Sequence, residues 1–130
     1  MNVATQRSQE EIMAFYIEVA EDLDLSVEER AEALRIVEVF LAAKPNRFGA
    51  TSEAVLSKAE SDGEQLAEVL AEREGSTLTP SVRTSFGVLY GMRIALLQNV
   101  IHQRDSDVSF SKQAEPLDEA MIDLLRSLRS

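Results

Sequence analysis

The sequence contains no cysteine and only one histidine. The absence of cysteine excludes disulfide bonds, thiolate metal sites and a cysteine nucleophile, although it says little about the cellular compartment. One histidine disfavours a carboxylate-bridged di-metal bundle, which usually places a Glu-x-x-His pair on each of two helices. No phosphate-binding glycine loop, zinc-ligand spacing or His-Glu-x-x-His motif is present. We therefore predict that the chain binds no metal and no cofactor.

The single histidine, His102, is also a weak candidate for catalysis. General-base chemistry would require an orienting partner and a nucleophile, and the sequence shows no spacing that supplies them. His102 lies near the C-terminal end of a predicted helix, where the helix dipole favours its protonated form. The expected role is that of a helix-end residue, so we predict no catalytic residue and no enzyme activity.

Long hydrophobic runs are missing as well. The longest apolar-rich stretch, residues 86–101, is interrupted by Arg93, Gln98 and Asn99. It is too short and too polar to predict a membrane span. The first eleven residues lack the basic stretch and apolar run of a signal peptide. The expectation is a cytoplasmic protein with no membrane partner.

Charge of one sign dominates the chain, whose 130 residues carry a net charge of −10. Nucleic-acid binding depends on a basic face that neutralises phosphates, so this balance argues against a direct nucleic-acid partner. The acidity is uneven: residues 1–43 hold ten acidic side chains, whereas residues 80–104 hold none. An ordinary solvated surface and a surface that steers a basic partner both fit this distribution.

Helical periodicity recurs along the whole chain, and no strand alternation persists. A chain of this length fits one domain with a normal core. The first two predicted helices start with capping boxes, Ser8 with Glu11 and Ser26 with Glu29, because a serine followed three residues later by glutamate satisfies two backbone donors. Pro45 is the predicted stop of the second helix.

Three of the five glycines lie in the third and fourth predicted helices. The third is predicted over about 52–74, with Gly63 at its middle at a cost of about 1 kcal/mol relative to alanine. A kink, a break into two helices or the close approach of a neighbour would each explain it. The fourth, about 80–104, has Thr79 as its cap and is apolar on every side, which is typical of a helix buried all round.

The fifth helix is predicted to begin at Pro116, after a polar loop over residues 105–115, and residues 1–7 are expected to be disordered. The chain is therefore predicted to be all-α: one domain over residues 1–130, a helical bundle of about five helices around a central apolar helix at about 80–104.

Two anomalies fall within the central helix. Gly87 and Gly91 are four residues apart, a spacing that lets another backbone approach closely, either within the chain or across a dimer or partner groove. Arg93 lies among apolar residues, and a buried guanidinium must be paired or reach the surface. We predict either that its stem is buried and its head reaches the edge, or that it bonds a structural carboxylate such as Glu18 or Glu38. The alternative is that it binds an anionic ligand or a partner's carboxylate.

From these anomalies we predict two sets of binding residues. The ligand- or partner-binding set is Arg93, Tyr90, Gly87, Gly91 and Asn99. The second set is an acidic, partner-facing ridge on the third helix, Glu60, Glu64, Glu68 and Glu72. A solvated ridge is the alternative for the second set, because like charges four residues apart repel by about 0.2 to 0.5 kcal/mol per pair.

The function predicted from these features is protein interaction: a small acidic regulator, adaptor, inhibitor or immunity-type protein that binds a partner protein of unknown identity. The apolar helix surface exceeds what five short helices cover, which favours a homodimer. One alternative is a small-ligand sensor whose pocket lies beside the central helix, with Arg93, Tyr90, Gln98 and Asn99 as polar contacts. The least favoured alternative is an enzyme that uses carboxylates or His102.

Overall fold

The computed structural model describes residues 7–43, 49–104 and 109–129, and these form five α-helices and no strand. The helices are α1 (Gln9–Ala20), α2 (Val27–Leu41), α3 (Ser52–Arg73), α4 (Pro80–Ile101) and α5 (Phe110–Ser127). They pack around one hydrophobic core. The predicted all-α helical bundle is confirmed.

Local capping chemistry places the first two helices where the sequence predicts them. Ser8 Oγ accepts a hydrogen bond from Glu11 N at 3.1 Å, and Glu11 Oε1 accepts one from Ser8 N at 2.9 Å. Ser26 and Glu29 repeat both distances at the start of α2. The hydrogen bonds from Ser8 lower the pKa of Glu11. Both capping boxes are confirmed, and they set the register of the apolar face that each helix buries.

The central position of α4 is also confirmed, since it packs against each of the other four helices. The large side chains that it buries point in several directions: Phe86, Val88, Leu89, Met92 and Leu96. The helix ends at Ile101, slightly before the predicted boundary. Its C-terminal cap is His102, and Gln103 then takes a φ of 51°, a left-handed conformation that stops the helix.

The tightest helix contact in the bundle lies where α3 crosses α4. A Cβ atom added to Gly63 would lie 2.6 Å from Tyr90 Cβ and 3.1 Å from Gly87 Cα. A Cβ atom on Gly87 would lie 3.0 Å from the carbonyl oxygen of Glu60. α3 runs unbroken through Gly63. Of the three explanations predicted for Gly63, close approach is therefore correct, and Gly87 serves a crossing within the chain.

The start of the fifth helix corrects one prediction. α5 begins at Phe110, so the predicted loop is wrong from residue 110 onwards, and Pro116 lies inside the helix. A proline in a helix interior costs about 3 kcal/mol because it removes a hydrogen bond and crowds the preceding turn. Phe110 packs against the core and Ala114 is buried, which offsets this cost. Residues 105–108 of the predicted loop lie outside the described residues.

Two further predictions concern the ends of described segments. Arg7 donates hydrogen bonds to Glu60 and Ser57, and the disorder expected for residues 1–7 stays a prediction. Residues 1–6, and Pro45 as the stop of α2, lie outside the described residues. In the part of the chain that is described, no helix combines the length and the apolar character needed to cross a bilayer.

Candidate functional site

An apolar groove runs between α3 and α5, because both helices pack on α4 and contact each other little. We call it the α3–α5 groove, and it encloses about 330 Å³. Its lining residues are Leu66 and Leu70 on α3, Phe86, Tyr90 and Arg93 on α4, and Asp118, Met121, Ile122 and Leu125 on α5. The two walls run parallel, since the C-terminal ends of both helices meet in an ion pair between Glu74 and Arg129.

Two exposed apolar side chains line this groove. Leu66 on one wall is 39% exposed and Ile122 on the other is 48% exposed. Val69, one turn beyond Leu66, is 49% exposed. The other large apolar side chains with comparable exposure are scattered over the described surface: Ile17, Val27 and Ile101. A contiguous apolar surface rimmed by polar residues is typical of an interaction site.

The groove continues past the ends of its two walls into a basic depression of about 430 Å³. Leu70, Ile122 and Leu125 line both parts, and the depression adds Arg73, Glu74, Arg126 and Arg129. Arg129 pairs with Glu74, and Arg126 lies 3.8 Å from Asp123. Arg73 makes no ion pair with any residue in the described ranges. A chain of net charge −10 thus has an apolar groove that is locally basic at one end.

Arg93 forms part of the groove, but its partner differs from the prediction. Its Nε donates a hydrogen bond to Asp118 Oδ1 at 2.8 Å, and its guanidinium carbon lies 5.1 Å from the centre of the Phe110 ring. The predicted partners Glu18 and Glu38 are wrong, because the Arg93 side of α4 faces α5. The Arg93 and Asp118 side chains are 32% and 44% exposed, so water still reaches both charges.

We expect Arg93→Leu to lower the free energy of unfolding by about 1 kcal/mol and to leave the fold intact, because partly exposed ion pairs and cation–π contacts each contribute modestly. Urea denaturation followed by circular dichroism measures the change. Asp118→Asn is the matched control, since it removes the other charge of the pair and should cost a similar amount. A variant that fails to fold would show instead that Arg93 acts as a buried charge.

The five predicted binding residues do not come together. Tyr90 and Arg93 line the groove, whereas Gly87 and Gly91 serve helix packing. Asn99 is fully buried, and its Nδ2 donates to the carbonyl of Ile36 on α2 at 3.0 Å. In this structure Asn99 therefore joins α4 to α2 on a different side of the central helix.

The four glutamates of the predicted acidic ridge also do not form one surface. Its first member, Glu60, points into the bundle, where Oε2 accepts hydrogen bonds from Tyr16 Oη at 2.7 Å and from Arg7 at 2.9 Å. Tyr16 is fully buried, and a side chain at Gly91 would collide with its hydroxyl. Burial, reinforced by the Glu60 carboxylate, raises the pKa of Tyr16 well above its ordinary value. Glu60 thus acts in a partly buried cluster that ties α1 to α3.

The remaining ridge residues have different surroundings. Glu64 packs over Gly87, with Cγ 3.1 Å from the position of an added Cβ atom. Glu68 forms an ion pair with Arg83 on α4. Glu72 is exposed. With Glu60 directed inward, the row does not present four free carboxylates to a partner.

The groove residues that sequence reasoning missed are Leu66 and Ile122. Leu66 fits the apolar stripe of α3, whereas Ile122 lies among charged positions on α5, and only the packing of both helices on α4 shows that the two side chains face each other across one groove. Among the described residues, no group of three His, Cys, Asp or Glu side chains is placed to hold a metal ion. Comparison with known protein families, curated proteins and solved structures finds no match. A functional proposal therefore depends on the groove itself.

Proposed function

We propose that this chain is a protein-interaction module, of the regulator or adaptor kind, that binds a helical segment of another polypeptide in the α3–α5 groove. The observation that carries the proposal is the exposure of Leu66 and Ile122 on facing walls of one apolar groove. Removing apolar surface from water contributes about 25 cal/mol per Å², so side chains left half exposed on both walls favour occupation by an apolar partner.

The shape and length of the groove favour a helix as the bound element. Amphipathic helices dock into such grooves through side chains at i, i+3, i+4 and i+7. The walls offer matching pairs one turn apart, Leu66 with Leu70 on α3 and Ile122 with Leu125 on α5. A helix lying along the groove would contact all four residues and approach Tyr90 on the floor.

The arginines at one end of the groove favour one orientation of the bound helix. The basic end with Arg73 and Arg126 favours acidic residues at one end of the bound helix. The net charge of −10 opposes non-specific association with nucleic acid, which is also strongly acidic. Charge complementarity of this kind mainly sets orientation and association rate.

The small-ligand alternative has weaker support. Two of the polar residues predicted to contact a ligand lie away from the groove: Asn99 is buried in the core, and Gln98 lines a separate small depression. The groove presents chiefly aliphatic and aromatic side chains along an open surface.

The test is a comparison of two single substitutions in the full chain. Ile122→Lys places a charge in the groove, and we expect it to reduce capture of the bound polypeptide about ten-fold or more, because the ammonium must be desolvated against apolar walls. Ile17→Lys is the matched control, since Ile17 on α1 is 45% exposed and lies outside the groove. Quantitative mass spectrometry of proteins captured from the native source measures both.

The control should retain wild-type capture. Equal capture by wild type, Ile122→Lys and Ile17→Lys would show that the groove is not the binding surface. Circular dichroism of each variant verifies that the helical bundle persists.

A further inference from the structure

One side of α5 carries a regular order of charges. The stripe consists of Glu115, Asp118, Ile122, Arg126 and Arg129, which fall within about 80° of arc at 100° per residue. We call it the α5 stripe. Two acids precede one apolar residue and two arginines follow it. All five side chains are at least partly exposed.

Two copies of this stripe are complementary in charge when they run in opposite directions. If two copies of α5 lie antiparallel with Ile122 on the symmetry axis, Glu115 of one copy lies opposite Arg129 of the other. Asp118 then lies opposite Arg126. A parallel arrangement would place like charges together, which is unfavourable. The charge order therefore selects one direction of pairing.

We propose that the helix bound in the α3–α5 groove is α5 of a second copy of this chain, which runs antiparallel to the first α5 about a twofold axis at Ile122. This inference rests on the proposed function for the groove and names its occupant. A twofold arrangement is closed, because both copies use the same surface and each charge pair occurs twice.

The other wall of the groove fits the same arrangement. α3 and α5 run parallel, so Arg73 and Arg129 lie at the same end, as the ion pair between Arg129 and Glu74 shows. Glu115 of a second copy would arrive at this end and meet both arginines. Arg73 makes no ion pair with the described residues and is therefore available to it.

Existing ion pairs leave the stripe accessible. Asp118 uses Oδ1 to accept from Arg93, and its side chain is 44% exposed. Arg126 is 72% exposed, and its nearest carboxylate, on Asp123, lies 3.8 Å away. A second copy can therefore contact both groups without breaking the bond between α4 and α5.

The apolar centre of the stripe adds contact area. Ile122 of each copy would meet its symmetry mate at the axis, where Leu66 on α3 and Leu125 on α5 line the same groove. Burial of these side chains supplies affinity, whereas the charge pairs supply direction and register.

The test uses two charge reversals, Glu115→Arg and Arg129→Glu, and measures mass by light scattering across about 1 to 100 µM, since dimerisation depends on concentration. Wild type should approach twice the 14.4 kDa chain mass. Each variant alone should dimerise about ten-fold or more weakly, because two like-charge contacts replace two opposite-charge contacts.

Mixing the two variants supplies the decisive measurement. An equimolar mixture should form a heterodimer with restored affinity. The substituted position 115 of one copy then faces the substituted position 129 of the other with opposite charge, and the unchanged Arg129 of the first copy faces the unchanged Glu115 of the second. The double variant should dimerise more tightly than either single variant, although its position 115 then faces the unchanged Arg73 of the other copy. Ile122→Glu should weaken dimerisation about ten-fold or more, since it places two carboxylates at the axis. Ile17→Glu is the matched control and should not change dimerisation.

A wild-type mass that stays at 14.4 kDa throughout the range would overturn this inference. A mixture of the reversed variants that stays monomeric, or a dimer unaffected by Ile122→Glu, would overturn it as well. In any of these cases, loss of a different captured protein by Ile122→Lys but not by Ile17→Lys would leave the proposed function standing. Equal capture by Ile122→Lys and Ile17→Lys would contradict the proposed function as well.

Discussion

Gly63→Ala is expected to lower the free energy of unfolding by about 2 kcal/mol, and the midpoint of thermal unfolding by several degrees, because overpacking a tight core is costly. The added methyl group would lie 2.6 Å from Tyr90 Cβ and 3.1 Å from Gly87 Cα, so α3 and α4 must move apart. Alanine gains about 1 kcal/mol of helix propensity over glycine, which offsets part of the cost. Urea denaturation measures the net effect.

The matched control for this substitution is Gly75→Asn. Gly75 has a φ of 70°, and an added Cβ atom there would meet nothing within 4 Å. Asparagine adopts this left-handed conformation more readily than other residues, so the expected loss is well under that of Gly63→Ala. If Gly63→Ala instead stabilises the protein, as helix propensity alone predicts, the close crossing of α3 and α4 is wrong.

Alkaline pH is expected to destabilise the protein through Tyr16. Its folded pKa lies well above the value of 10.0 for an ordinary tyrosine, because burial and then Glu60 disfavour the phenolate. The unfolded chain therefore loses the tyrosine proton first. The contribution of Tyr16 is fully present below the unfolded pKa. It is lost as pH rises towards the folded pKa, with a limiting slope of about 1.4 kcal/mol per pH unit.

Tyr16→Phe should remove this dependence. At neutral pH the variant should be less stable by about 1.5 kcal/mol, because the hydrogen bond to the Glu60 carboxylate is lost. Above the ordinary tyrosine pKa, the difference between wild type and variant should shrink and then reverse. Urea denaturation at a series of pH values from neutral to strongly alkaline measures this difference. A difference that is constant with pH would contradict the burial of Tyr16 beside Glu60.

Local chemistry explains why much of the fold is predictable. The capping boxes at Ser8 and Ser26 act within four residues, so the sequence alone locates the starts of α1 and α2. The all-round apolarity of α4 likewise predicts a central helix without knowledge of its neighbours. The start of α5 is different: Pro116 is a strong local signal, but the packing of Phe110 on the core outweighs it.

The site was less predictable because it depends on pairs distant in sequence. Arg93 requires a carboxylate, but only the placement of α5 selects Asp118 over Glu18 or Glu38. Gly91 has a packing role, but its neighbour, the Tyr16 hydroxyl, lies on α1. Such contacts follow from the arrangement of whole helices.

The groove, like the fold, could be predicted from the sequence only in part. The order of charges on α5 is visible in the sequence. What the sequence does not show is that Ile122 lies opposite Leu66 in one groove, since that placement depends on how α3 and α5 both pack on α4. Exposure is set by the gap between α3 and α5, and that gap exists because α4 holds both helices apart.

Photocrosslinking from Leu66 tests the central claim most directly. The full chain carries p-benzoylphenylalanine at position 66, and isotopically light and heavy copies are mixed so that crosslinks between copies can be identified by mass. The account predicts crosslinks from position 66 of one copy to residues 115–129 of the other, with little crosslinking from the same group placed at Ile17. Equal yields from positions 66 and 17, or no crosslink between chains from position 66, would contradict it.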